Sequence, residues 1–358
     1  MKAIVLVGGE GTRLRPLTLQ TPKQMLPIVE QPMIERVLLG LARGGIEEAV
    51  LSLGYLPDAF VRAYPGGEAA GVHLTYAVEP EPYDTAGAVR FAADAAGIDG
   101  TFLVVNGDVL TDLDVSTLID FHRSCGAEGT IRLYPVEDPS AFGVVDTDES
   151  GRVRAFVEKP PAGEAPSDLI NAGTYVFEPS VLERIPPGRR TSIERKTFPE
   201  MVADGVLFAR ADPAYWLDTG TPADFLAAHA DLLNGKRPGP PCPGAYLVSP
   251  GVWATGTPGF DGEAVAPSFV GAGARIAPGA RVEGSVVGRG AVVDAGAVVA
   301  SSVLMARTYV GVDARVEGSI LGEGALIGEG CRLRPISVVG PEVEVEPGTV
   351  LDGQRVPA

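Results

Sequence analysis

Residues 1–28 read MKAIVLVGGEGTRLRPLTLQTPKQMLPI, and how they are parsed sets the architecture of everything up to about residue 235. Ala3 to Val7 form an unbroken apolar run that meets Gly8, Gly9 and Gly11, then Thr12 and Arg13, with Lys23 ten positions further on. A short apolar run closed by glycines is the pattern of a buried strand entering a turn. Two familiar glycine loops fail here. A Walker loop needs Gly-Lys followed by Ser or Thr, whereas GGEGTRLR carries Gly-Thr-Arg, and a dinucleotide fingerprint needs a third glycine where Leu14 stands. What remains is a turn whose backbone N–H groups can form an anion nest, with Arg13 as a planar, multi-donor cation. A plain tight turn accounts for the glycines equally well.

The same parsing continues downstream. KAIVLV, MIERVLLGLARGG, EAVLSLG, DTAGAVRFAADAAG and TFLVVNGD alternate short apolar runs with helical patterns. This predicts an α/β fold with a Rossmann-like, mostly parallel sheet and flanking helices. In open sheets of this kind ligands sit beyond the carboxyl ends of strands, where the glycine turn falls and where NGDVL follows FLVV. LNGKRPGPPCP, residues 233–243, then reads as turn-rich linker. Beyond it aliphatic residues recur in steps of six, six and five, giving a period of 17 from Val270 through Val287, Leu304 and Leu321 to Val338. That period is too short for a helical hairpin and matches one coil of a parallel β-helix of hexapeptide units. The expected domains are 1–235, a linker over 236–262, and a β-helix over 263–358.

With 358 residues, 45% hydrophobic and 21% charged, the chain reads as an ordinary globular protein of two domains. Three distant cysteines, Cys125, Cys242 and Cys331, suggest neither a disulfide framework nor a zinc site, which fits a reducing cytoplasm. The apolar start is too short for a signal peptide, and no run of about twenty apolar residues occurs. A net charge of −17 argues against sequence-independent nucleic-acid binding while leaving room for a phosphorylated ligand held by a few cations and a metal ion.

GGEGTRLRPLT followed by PKQMLPI resembles the signature of the sugar-1-phosphate nucleotidyltransferases, the nucleotide-sugar pyrophosphorylases. EPYDTAGAV, VVNGDVL, FGVV, FVEKP, NAGTYVF, SIERKTFP and YWLDTGTPADFL follow in that family's order, and SIERKTFP with WLDTGTPADF resembles its mannose-1-phosphate guanylyltransferases. The resemblance implies a GT-A-like nucleotidyltransferase domain followed by a left-handed parallel β-helix. It also implies Mg2+-dependent, in-line attack of a sugar 1-phosphate on the α-phosphate of a nucleoside triphosphate, releasing pyrophosphate. GTP and mannose 1-phosphate are the favoured pair. A glucose-1-phosphate thymidylyltransferase, or an enzyme acting on a cyclitol or heptose phosphate, is the alternative.

Residue by residue, the resemblance makes Arg13 and Lys23 catalytic, with Arg13 on the triphosphate and Lys23 reaching the α-phosphate. Gly8, Gly9, Gly11 and Thr12 would cradle the phosphates with their amides. Glu79 and Gly87 would lie by the nucleobase, although Asp84 stands where many relatives have glycine. Asp108 and Asp218 would be Mg2+ ligands, and Gly143, Glu158, Lys159 and Asn171 would hold the sugar phosphate. Trp216 and Phe198 are read as core packing before sugar walls. The three histidines, His73, His122 and His229, fall in no motif and receive no role.

β-Helices of this type also form the body of acyltransferases, but those resembling enzymes generally use a histidine in the coils, and none follows His229 here. A silent regulatory subunit that binds nucleotide sugars would be expected to lose Arg13, Lys23 or a metal aspartate, and all are present. The tail is therefore expected to stack on the catalytic domain or pair subunits in a homo-oligomer, dimer or tetramer, with no catalytic side chain of its own and no membrane partner.

Overall fold

The computed structural model describes residues 1–357. Its contacts separate into two compact units, one of residues 1–9 with 34–216, the other of residues 10–33 with the described residues from 217 onward.

The first unit is built on a mixed sheet. Lys2–Leu6 lies at its centre, parallel to Glu48–Leu53 on one side and Phe102–Asn106 on the other, and Val72–Val78 extends the parallel half. Leu169–Phe177 then runs antiparallel to Phe102–Asn106 and pairs with both Gly129–Pro135 and Gly143–Thr147. The parallel strands are apolar on both faces: Ile4, Val50 and Val104 share one face and Val5, Leu51 and Leu103 lie on the other, each 2% exposed or less. The helix Asp84–Ala95 covers one face with Ala86, Val89, Ala92 and Ala93, small residues that let the helix approach closely. Phe198 is packed in this core with Tyr175, Phe156 and Phe177. The helix Val115–Cys125 is capped by Asp114, whose carboxylate accepts from Ser116 N, and closes at Gly126 with φ 58°.

The second unit carries the parallel β-helix. Three sheets of eight, six and six strands run its length, and successive coils pair in parallel. Val270, Val287, Leu304 and Leu321 stack inside one sheet, Ile276, Val293, Val310 and Ile327 inside the next, and Val282, Val299, Val316 and Leu333 inside the third. A buried serine column follows the same period: Ser302 N donates to Ser285 Oγ and Ser319 N to Ser302 Oγ, each at 3.0 Å. The last coil departs from the expected period of 17. Leu321 pairs with Val339, not Val338, because the preceding corner holds one extra residue; Ile336 sits there exposed with φ 65°. The coils also begin early: Tyr246–Ser249, Val252–Ala254 and Gly259–Phe260, within the stretch expected as linker, are strands joined to the β-helix sheets.

Residues 10–33 fold onto this second unit. They form two single-turn 3-10 helices, Thr12–Leu14 and Lys23–Met25, and a tight hairpin that turns at Val29 and Glu30, both with positive φ. Glu30 Oε2 accepts from Thr255 Oγ1 at 3.0 Å, and Gly340 leaves room for the ring of Pro16, which an added Cβ would meet at 3.2 Å. Val29 N donates to His229 Nδ1 at 3.2 Å, which gives a histidine without a chemical role a structural one. That histidine stands on the helix Pro222–Leu233, capped by Thr221 Oγ1 accepting from Asp224 N. Between the segment and the β-helix lies a cavity of about 540 Å3 walled by Leu17, Met25, Val286 and Val303. Among the described residues no helix is long and apolar enough to cross a membrane.

Candidate active site

In the first unit the strand Lys2–Leu6 delivers Gly8 and Gly9 to an exposed turn. Gly54 packs against this turn: a Cβ on Gly54 would sit 3.1 Å from Gly8 O, tighter than an ordinary contact. Asp108 stands in the turn between Phe102–Asn106 and Val109–Thr111. Gly107 fastens that turn beside the first strand's exit, donating to Leu6 O at 2.9 Å in a space where a Cβ would lie 2.5 Å from Val7 Cγ1. Glycine is thus required before Asp108 by packing, and the packing sets where Asp108 starts.

Glu79 and Gly87 have work inside the protein. Glu79 Oε1 accepts from Ser52 Oγ and Oε2 from Tyr83 N, both at 3.0 Å, so this carboxylate braces the loop ahead of the helix. At Gly87 the space of a Cβ is taken by Arg189 O, at 2.6 Å, while Ala86 N and Gly87 N both donate to Thr191 O. The close backbone approach expected of a nucleobase at Gly87 is made here by the chain's own loop. Asp84 has φ 62°, caps Thr85 N, and lies 3.8 Å from Arg190.

The four residues expected on the sugar phosphate lie along three neighbouring strands. Gly143 pairs with Glu158, and a Cβ on Gly143 would meet Phe156 Cζ at 2.6 Å and Glu158 Oε2 at 3.0 Å. Lys159 has φ 51°, its N donates to Phe142 O at 2.9 Å, and its Nζ is 3.8 Å from Glu158 Oε1. Asn171 Nδ2 donates to the Tyr175 hydroxyl at 2.9 Å and its Oδ1 accepts from Gly173 N at 3.0 Å, holding a bulge in the strand. Glu194, which no sequence signal singled out beyond its place in SIERKTFP, acts on Glu158: burial first, and then the Glu194 charge, raise the Glu158 pKa above its ordinary value.

That shift has a definite sign. A carboxyl that binds its proton more readily folded than unfolded makes stability fall as pH rises from the ordinary 4.5 through the raised folded value. Glu158→Gln is therefore expected to raise Tm by about 1–2 °C near neutral pH. Little change is expected at about pH 4, where the carboxyl is mostly protonated in both states. Thermal melts of the two proteins at both pH values check this; equal melting points near neutrality would show that the shift carries no stability cost.

In the second unit Gly11 has φ 61° and an added Cβ would meet the Lys23 stem, Cβ at 3.1 Å and Cδ at 3.4 Å. Lys23 is thereby laid across the glycine turn. Thr18 Oγ1 donates to Gly11 O at 2.8 Å and Leu14 N to the same oxygen at 2.9 Å, so the turn's carbonyl is satisfied internally. Thr12 and Arg13 are exposed, while Leu14 and Leu17 anchor the segment, 1% and 0% exposed. Arg13 and Asp218 converge on Gly220: an added Cβ there would run into the Arg13 guanidinium and lie 2.9 Å from Asp218 Oδ1. Gly220 was legible only as the glycine of WLDTG, and its need is steric.

Among the histidines, His122 is buried with Nδ1 2.8 Å from Thr130 Oγ1 and Nε2 3.1 Å from Glu178 Oε1, a structural network. Trp216 stacks on Tyr134 at 5.4 Å and donates from Nε1 to Ala172 O at 2.9 Å.

Residues 2–235 match the family model described as nucleotidyl transferase, and residues 264–358 match one described as GMPPB C-terminal domain. A mannose-1-phosphate guanylyltransferase of Mycobacterium tuberculosis is 44% identical over 288 residues, covering 77% of this chain and 76% of the relative. A probable mannose-1-phosphate guanylyltransferase 1 of Oryza sativa subsp. japonica is 40% identical over 69% of this chain and 70% of its own. Among solved structures, HddC from Yersinia pseudotuberculosis complexed with GMP-PN superposes with a TM-score of 0.55 at 29% identity, covering 64% of this chain and 97% of that one. The extent of these matches, joined to the motifs in their places on the fold, establishes that this chain is an enzyme of the nucleotidyl transferase family.

Proposed function

We propose that the chain transfers GMP from GTP to mannose 1-phosphate, forming GDP-mannose and pyrophosphate. The observation that carries this reading is the match to a mannose-1-phosphate guanylyltransferase at 44% identity across three quarters of both chains. The sugar phosphate oxygen that attacks is already anionic near neutral pH, so the reaction needs no histidine base. Its difficulty is bringing anions together, and the chain's contribution is positioning and charge neutralisation. Arg13 holds the triphosphate and stabilises charge moving toward pyrophosphate; the amides of Gly8, Gly9, Gly11 and Thr12 cradle it, and Lys23 faces the α-phosphate. Glu158 and Asn171 orient sugar hydroxyls on the support of Gly143, and Lys159 holds the sugar phosphate. Glu79 and Gly87 shape the wall against which the base lies.

A divalent ion, Mg2+ in this reading, suits the donors. Asp108 and Asp218 offer hard carboxylate oxygens, and no group of three or more His, Cys, Asp or Glu gathers into a metal cage among the described residues. Magnesium is commonly held by one or two carboxylates, with phosphate oxygens and water completing its shell. When bound it supplies charge neutralisation on the phosphates. The cytoplasm and a homo-oligomer complete the proposal.

Pyrophosphate release from each of four nucleoside triphosphates paired with several sugar 1-phosphates tests this, with Mg2+ omitted as control. GTP with mannose 1-phosphate is expected to be the fastest pair, and Asp108→Ala is expected to abolish the response to Mg2+. A different preferred pair would move the chain to another nucleotidyltransferase specificity. Binding of nucleotide sugars without turnover of any pair would make it a regulatory subunit.

A further inference from the structure

Arg132 lies in the strand Gly129–Pro135 between the buried Ile131 and Leu133, and it is itself 0% exposed. An apolar side chain would pack there without the cost of desolvating a cation. The charge is also incompletely served. Its nearest carboxylate oxygen, on Asp212, is 3.8 Å away, and its Nε has no acceptor among the described residues. What the guanidinium does make is a clamp. Nη1 donates to Thr111 Oγ1 and Nη2 donates to Ala214 O at 2.7 Å. Thr111 Oγ1 in turn donates a hydrogen bond to Tyr215 O at 2.9 Å, and Asp112 N donates to the same carbonyl at 3.1 Å. The Arg132 guanidinium carbon also lies 5.9 Å from the centre of the Tyr134 ring, on which Trp216 stacks.

Thr111 ends the three-residue strand that starts directly after Asp108, and Ala214 to Trp216 are the residues through which the chain runs into Asp218. One buried cation therefore fastens together the two stretches that lead from and to the proposed metal carboxylates. We propose that Arg132 is a positioning residue for the divalent ion, fixing Asp108 through Thr111 and Asp218 through Ala214. The inference rests on the proposed role of those aspartates. A three-atom fork suits the task because it reaches two acceptors at once in one plane, which a lysine cannot do.

The test is Mn2+ titration of the full-length protein by electron paramagnetic resonance, with a non-hydrolysable GTP analogue present, alongside the Mg2+ dependence of turnover. Groups that orient metal ligands typically change affinity by about 10–100-fold when removed. Arg132→Met is expected to weaken Mn2+ binding, and to raise the Mg2+ needed for half-maximal rate, by about tenfold, with KM for the sugar phosphate little changed. Arg132→Lys should lie between the two. If Arg132→Met does not fold, Thr111→Val removes only the relay hydroxyl and is expected to shift metal affinity in the same direction by a smaller factor. Folded variants with unaltered Mn2+ affinity would overturn the proposal. Asp108→Ala separates the two readings: if it keeps the metal response, the aspartate assignment fails, and if it loses the response while Arg132→Met and Thr111→Val do not, only the clamp fails.

Discussion

Replacing either Lys23 or Arg13 with alanine is expected to lower turnover by about a hundredfold or more, the loss that follows removal of one electrostatic stabiliser from a phosphoryl-transfer site. The expectation comes from what each cation is asked to do and from how it is held. Two phosphorylated reactants repel until cations are fixed where charge accumulates, and a cation fixed in advance contributes without reorganisation during the reaction. Lys23 meets this condition because its stem lies over Gly11, whose missing side chain is the space the stem occupies. Arg13 meets it because the glycine at position 220 leaves the guanidinium room beside Asp218. Neither side chain is buried in the apolar core, so each alanine variant is expected to melt close to the parent protein. Rates at saturating GTP and mannose 1-phosphate, with melts run in parallel, check the prediction. Near-normal rates would remove both residues from the mechanism.

Much of this arrangement was legible in the sequence because its causes are local. An apolar run ending in glycines must become a strand and a turn, and aliphatic residues in phase over many short steps must face one interior. The failures share another cause: they depend on what comes near from far along the chain. Val338 and Val339 are both aliphatic, so nothing local reports that the corner around Ile336 holds an extra residue and passes the inward position to Val339. Gly87 reads as a place for a ligand's close approach, but the neighbour that approaches is Arg189 O, a hundred residues on. Nothing local marks Arg132 as buried, and only its partners on Thr111 and Ala214 reveal a clamp. The linker was drawn by its prolines and glycines, which does not exclude the strands that follow them from Tyr246.

The largest such effect concerns the signature itself. Residues 10–33 belong by sequence to the first domain, yet they pack with the β-helix, and this changes what removal of the tail should do. A chain ending at Gly244 loses no catalytic side chain, but it loses Thr255, which holds Glu30, and Gly340, against which Pro16 rests. The segment has little structure to hold itself: two single-turn helices and a two-residue hairpin. Ordering each of its residues costs about 1–2 kcal/mol of backbone entropy, which packing on the β-helix helps to offset. Without that packing Arg13 and Lys23 lose their fixed places together. The truncated enzyme is expected to lose at least the hundredfold lost in either single variant, roughly because both stabilisers are displaced at once. Amide hydrogen exchange should show protection falling across residues 10–33 while the strands Lys2–Leu6 and Phe102–Asn106 keep theirs. If the truncated chain does not fold, Gly340→Val in the full-length protein pushes a branched side chain at Pro16 and is expected to lower turnover in the same direction. A soluble truncated chain with undiminished turnover would mean that the signature segment holds its active geometry unaided.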